Sequence, residues 1–367
     1  MRRILIIVTA ISFVLPGRCS ACLWDYDTLA MERQRFPGAQ ELIVGHFVRH
    51  STAYYEWRIS DRTSKAIEER SQLDFDDLAV AYDKLGQHDK AISTIRAKMD
   101  RWPDERRYES EANLGTFYIH SGRFPEGLQH IKRAIEINPD AHFGREIYQK
   151  LLVEYVIESR RPDRKLPLSD DDVSYGNTGF AAFVLAAQKT SAESQIAEIQ
   201  AAAKGIMGMM RFGHHDSPIL LEALGDLLLS VRPDADSKML AARAYLKASY
   251  EVEDPAAVAA YRKKAERALK LQFERELSVI ESDLKSEIER ADRFFREISA
   301  DERAWIDSGK NLDKEFGEKY YKAPPLYPVA KTGFLIKMGL AILFVSCGAT
   351  IAIVTRQVRR HRDATAK

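Results

Sequence analysis

The chain has 367 residues, of which 45% are hydrophobic and 30% charged, and a formal net charge of +1. That length suits two domains or one extended array, and the near-neutral balance gives no electrostatic reason to expect a nucleic-acid partner. Three cysteines are too few for a disulfide-stapled fold.

The first element is a targeting segment, residues 1–21. Arg2 and Arg3 precede an apolar run from Ile4 to Leu15, which Pro16 and Gly17 break before the small residues Ser20 and Ala21. The run is shorter than a standard spanning helix and has the three parts of a secretory signal peptide. Cleavage after Ala21 would leave Cys22 first, a candidate for lipidation, although Cys19 stands where such signals usually carry Leu. Residues 22–70 follow as an aromatic-rich capping segment with Trp24, Tyr26, Tyr54, Tyr55 and Trp57. Aromatic residues beside arginines suit interface anchors, and better still the covering of an array's first helix.

Residues 71–158 hold two copies of one pattern and a capping helix over about 143–158. Leu78, Ala79, Tyr82, Gly86, Ala91, Ile95 and Pro103 align with Leu114, Gly115, Tyr118, Gly122, Gly127, Ile131 and Pro139. The copies are 36 residues apart (114 − 78), and the Leu-to-Pro spacing is 25 in both (103 − 78 and 139 − 114). The small residues predict closely packed helix pairs, the tyrosines fill the space between them, Gly86 and Gly122 allow the turns, and the prolines stop the second helix. This pattern resembles the tetratricopeptide repeat, whose signature runs L-G-x2-Y, A-x3-F, Pro over about 34 residues. The family's opening Trp is replaced by Phe75 in one copy and Glu111 in the other.

The resemblance implies an all-α solenoid of helical hairpins that bury their faces by stacking on neighbours. It also implies a concave wall lined by the first helix of each unit. That register gives Leu73, Asp76, Val80, Asp83 and Lys84, then Glu109, Ala112, Thr116, Ile119 and His120. Some members clamp a peptide carboxylate with Lys and Asn there; Lys84 and the neighbouring Asn113 are the residues of that kind. The aromatic-rich segment followed by these repeats also resembles, over most of the chain, uncharacterised membrane-anchored bacterial envelope repeat proteins, a group that carries no assigned activity.

Residues 159–255 read as a helical region with a degenerate third unit. Thr190 and Glu193 have capping-box spacing ahead of the apolar face Ile196, Ile199, Ala203, Ile206 and Met210, which Gly213 ends. Ser217-Pro218 starts another helix. Leu224, Gly225 and Leu228, then Ala241, Tyr245 and Ala248, repeat the unit with about four extra turn residues within Arg232–Ser237.

Residues 256–321 read as a long amphipathic helix. An apolar stripe from Leu269 through Leu277, Ile280, Leu284, Ile288, Ala291 and Phe295 to Ile298 runs through about 45 residues without an internal Gly or Pro, some 68 Å of continuous helix. It suits either a stalk that pairs with a second copy through 256–300 or a helix folded back on the repeats, and the loose heptad spacing favours the latter.

Residues 322–332 are a Pro-rich spacer. Residues 333–355 carry one charge, Lys337, and are long enough to cross a bilayer as a transmembrane helix. The tail 356–367 has Arg356, Arg359, Arg360 and Arg362, which predicts a cytoplasmic end and places the repeats on the other side. The resemblance to bacterial envelope proteins implies a single pass of the inner membrane, with the repeats facing the periplasm or the outside.

Catalytic signatures are missing from the sequence: no G-x-S-x-G, H-E-x-x-H, P-loop or G-x-G-x-x-G occurs. His214-His215-Asp216 reads as a loop between helices rather than a metal site, Asp170–Asp172 as a solvated turn, and Cys19-x-x-Cys22 lacks a redox context. The expectation is therefore an adaptor without cofactor or metal that binds a protein or peptide. The alternatives are an envelope hydrolase or metal-dependent enzyme with its site in 160–220, and an oligomerising spacer.

Overall fold

The computed structural model describes residues 37–139, 144–159, 166–169, 178–230, 235–270 and 276–321. Two units divide the chain at Pro325–Leu326, and the second, to Lys367, lies outside the described residues. So do the signal segment with Cys19 and Cys22, the spacer, the apolar run 333–355, the basic tail and Asp170–Asp172. Among the described residues there is no strand, and no helix is long and apolar enough to cross a membrane.

All regular structure is helical: α1 (Ala39–Val44), α2 (Thr52–Ser64), α3 (Gln72–Lys84), α4 (His88–Arg101), α5 (Arg107–His120), α6 (Phe124–Ile137), α7 (Arg145–Ser159), α8 (Gly179–Ala187), α9 (Gln195–Phe212), α10 (Pro218–Ser230), α11 (Ala235–Tyr250), α12 (Pro255–Lys270), α13 (Leu277–Asp307) and α14 (Leu312–Phe316). Consecutive helices stack in pairs through α3–α7 and α10–α12, and α9 packs on both α7 and α10.

Local chemistry accounts for the two hairpins that carry the sequence pattern. Ser71 caps α3 in a reciprocal box: its hydroxyl accepts from Asp74 N at 3.2 Å, and Asp74 Oδ2 accepts from Ser71 N at 2.8 Å. Gly86 and Gly122 turn each hairpin at φ +70° and +79°, a region closed to most side chains. A Cβ on Gly115 would lie 2.5 Å from Ile131 Cδ1, and one on Gly127 would lie 2.9 Å from the Gly115 carbonyl. The paired helices thus touch backbone to backbone. Ala79, Ala91, Leu114, Ile131 and Phe117 are fully buried in the seam, with Tyr82 partly buried at its edge. α4 and α6 stop at Arg101 and Ile137, each two residues before its proline.

Phe75 packs edge-on against Trp102 at 5.7 Å. Its counterpart Glu111 is a buried carboxylate instead, held by His130 Nδ1 at 2.6 Å and by Arg107. The opening aromatic of the pattern is thus exchanged for an ion-paired cluster.

α10 and α11 repeat the close approach. A Cβ on Gly225 would meet Tyr245 at 2.5 Å, and Tyr245 stands four places after Ala241 as Ile131 stands four after Gly127. A buried cluster fastens this pair to neighbouring segments. Lys264 Nζ lies 2.7 Å from Glu222 and 3.3 Å from Asp226, while Tyr261 and Tyr245 hydroxyls donate to those carboxylates at 2.9 and 2.7 Å. Glu222 accepts from the backbone of Leu168 and Ser169, and Asp226 from Phe180 N at the start of α8.

Two expectations are corrected. The box at Thr190–Glu193 does not form: α9 begins at Gln195 with Ser194 before it, and Ile196 of the expected apolar face is 41% exposed. Secondly, the long amphipathic segment is two helices, α12 ending at Lys270 and α13 beginning after Glu276, whose backbone is extended. The break lets the two halves use different partners. α12 lies mainly on α11, whereas α13 buries Ile280, Leu284, Ala291 and Ile298 among contacts with α1, α2 and α11. The stripe is thus covered from within the chain.

α13 and α14 return to the first helices. Glu302 takes His50 Nδ1 at 2.7 Å and Ser51 N at 2.9 Å. Arg62 of α2 bridges Asp77 of α3, at 2.8 Å, and Asp313 of α14. Tyr54 is buried and stacks on His50, and Phe316 packs against both rings. Tyr54 of the capping segment thus seats α14, while α2 as a whole packs on α3.

Candidate functional site

The inner ends of α3, α5 and α7 face the α9–α10 loop across a cleft of about 540 Å³, the size of a pocket for a small ligand or a few side chains. Its walls are mostly apolar: Ile119, Phe124, Leu152, Val153, Val156, Met209, Phe212, Pro218, Ile219 and Leu220. Its polar groups are Asp83, Lys84, His88, Thr116, His120, Gln149, His214, Asp216, Ser217 and Glu251.

Asp83, buried at the end of α3, organises the polar end. Its Oδ1 lies 2.8 Å from His88 Nδ1, at the start of α4, and its Oδ2 lies 2.7 Å from His120 Nδ1, at the end of α5. The Gly86 turn brings His88 beside Asp83, and stacking of the second hairpin brings His120. Burial opposes ionisation of Asp83, but His120 and His88 hold its carboxyl far below the usual carboxylate range. The hydrogen bond to Asp83 in turn raises His88. Since an ionised carboxylate only accepts, each Nδ1 carries the proton, and Nε2 is the other polar atom of each ring.

His214 stands across from this pair, its ring 5.0 Å from that of His120. Burial first, then Lys84 and His120, push its imidazole below the ordinary value, against the smaller pull of Asp83 and Asp216. Lys84 Nζ donates to the carbonyls of Phe212 and Gly213 at 2.6 and 2.7 Å, capping the end of α9. His215 turns away from the cleft: Gly45 lies against it, and Phe47 meets it edge-on at 5.4 Å. Burial, then Arg49, push it down to about 3. Among the described residues, no group of three or more His, Cys, Asp or Glu is placed to hold a metal ion.

Of the wall residues read from the register, Asp83, Lys84, Thr116, Ile119 and His120 line the cleft. Thr116 donates to Ala112 O at 3.0 Å and accepts from Gln149 at 3.2 Å. Val80 packs into the seam with Ile92 and Leu114, and Glu109 pairs with Arg106 at 3.1 Å. Asn113 is fully buried with its amide 3.4 Å from Asp76, which Lys98 Nζ holds at 2.7 and 2.8 Å. Lys84 and Asn113 therefore do not meet as a clamp pair in the cleft.

Sequence reasoning missed His88, the α7 wall of Gln149, Leu152, Val153 and Val156, and the α9 residues Met209 and Phe212. The only available signal was that His88 follows the Gly86 turn. The others reach the cleft through contacts between segments that no local spacing records. No protein-family model matches the sequence, and no curated protein matches it significantly.

Proposed function

We propose that the chain is a tetratricopeptide-type adaptor, a short solenoid whose cleft takes an apolar segment of a protein or peptide partner. On this reading the apolar run 333–355 anchors it by one C-terminal helix, and the signal segment and basic tail put the repeats outside the cytoplasm. Two in-register copies of the repeat pattern, with Gly115, Gly127 and Gly225 each at a helix–helix contact, support the solenoid.

The observation that carries the binding role is the cleft itself. It sits at the inner ends of the repeat helices, is walled by apolar side chains from five helices and has polar groups at one end. Such concave sites are where partners and ligands gain most from burial. Photo-crosslinking from Ile119 and Ile219 tests it, with Ser93 on the outer face as control. A discrete adduct is expected from the cleft positions only, and it should disappear with Val156→Arg. Equal labelling from Ser93, or none from the cleft, sinks the proposal.

A further inference from the structure

The cleft contains a feature that apolar capture alone does not require. Asp83 spends its two oxygens on two imidazoles, His88 and His120, from different repeats, and both rings line the cavity. The carboxylate fixes one tautomer in each. While neutral, each ring offers Nε2 as an acceptor; once protonated, the same atom is a donor. The polar end of the cleft therefore reverses its hydrogen-bonding sense when the rings take protons, and the fork passes from net negative to net positive.

We propose that the Asp83–His88–His120 fork is a proton-gated subsite for a carboxylate that a partner polypeptide carries beside a bulky apolar side chain. The apolar group would enter between Ile119, Phe124, Val153, Val156, Phe212 and Leu220, and the carboxylate would accept from the two Nε2–H groups. This rests on the adaptor reading of the same cleft.

The charged neighbours leave that role to the imidazoles. Lys84 is turned to the α9 carbonyls, and Arg123, beside His88, pairs with Asp89 at 2.7 Å. Glu251 at the rim pairs with Lys247. Asp216 also lines the cleft and repels an acidic group from its own side, which leaves the fork as the place for it. Binding of a carboxylate favours the protonated rings. Affinity is therefore greatest where the rings are protonated and the peptide carboxylate is still ionised, and it falls as rising pH takes the protons from the rings.

The test uses the full chain in detergent, panned with a random heptapeptide phage library at about pH 5.5 and about pH 8. At the lower pH, selected peptides should place Asp or Glu within two positions of Leu, Ile, Phe or Trp. A synthetic copy of one should bind roughly tenfold more weakly at the higher pH. The double variant His88→Gln/His120→Gln should flatten that dependence to within about twofold, and Val156→Arg should abolish binding at both values. Should the double variant fail to melt cooperatively, ring nitrogen NMR of the unaltered protein decides: His88 and His120 must titrate at higher pH once the peptide is bound, and unmoved titrations overturn the proposal. Apolar peptides selected without an acidic neighbour, and still blocked by Val156→Arg, overturn the fork and leave the adaptor standing. No selected peptide at either pH, together with no crosslink from the cleft, overturns both.

Discussion

Asp76 lies on the helix face that the repeat register assigns to the inner wall, yet it is fully buried. Lys98, from the second helix of the same hairpin, reaches it and is itself 1% exposed. Burial pushes the Asp76 carboxyl up to about 6, against the pull of Lys98. Such a pair adds little to stability compared with an apolar pair, but breaking one half strands a charge. Lys98→Met alone should lower stability by about 3–5 kcal/mol in urea unfolding, and Asp76→Leu/Lys98→Met should recover most of that loss. Equal losses in the single and double variants would refute the pairing. The partner of Asp76 lies 22 residues away. That explains which single residues were legible: small, aromatic and proline positions follow from local spacing, whereas the partner of a polar one follows from packing.

Helix pairing here depends on missing side chains. Gly127 faces the Gly115 carbonyl, a backbone atom that cannot rotate aside, so Gly127→Ala should destabilise by about 1–3 kcal/mol despite alanine's better helix propensity. Gly122→Ala has open space around it but keeps positive φ, and about 1 kcal/mol is expected there. Thermal melting of both variants checks the order; a stabilised Gly127→Ala would contradict the close approach. The same logic made the third hairpin readable across its longer turn, because Gly225 and Tyr245 keep the relation of Gly115 and Ile131. Helix ends were less legible. Thr190 and Glu193 had the right letters for a cap and no helix beginning there. The stripe from Leu269 to Ile298 was periodic throughout, although the chain divides it between two packing partners.

At the scale of the whole molecule, the late helices return to the early ones. Asp313 accepts from Tyr54 OH at 2.7 Å and Arg58 Nη2 at 3.1 Å and pairs with Arg62, all on α2. Asp313→Ala leaves Arg58 and Arg62 short of a partner, and hydrogen exchange of α2 should speed up severalfold while α5 and α6 hold their protection. Uniform loosening of all helices, or none, would count against a local clasp. The amphipathic pattern of α13 announced a buried face, but only the fold shows that α1, α2 and α11 fill it. The cleft is likewise a product of the fold, since α3, α5, α7 and the α9–α10 loop meet across more than a hundred residues of sequence.

The Asp313–Arg62–Asp77 bridge has a mechanical meaning. Tension applied to the chain at Tyr321 does not travel back through the hairpins one after another. It passes from α14 into α2 and α3 through the Asp313–Arg62–Asp77 bridge and the packing of Phe316 on Tyr54. The end of the described chain is thus tied to its beginning, and a pull at Tyr321 loads α2 and α3 directly.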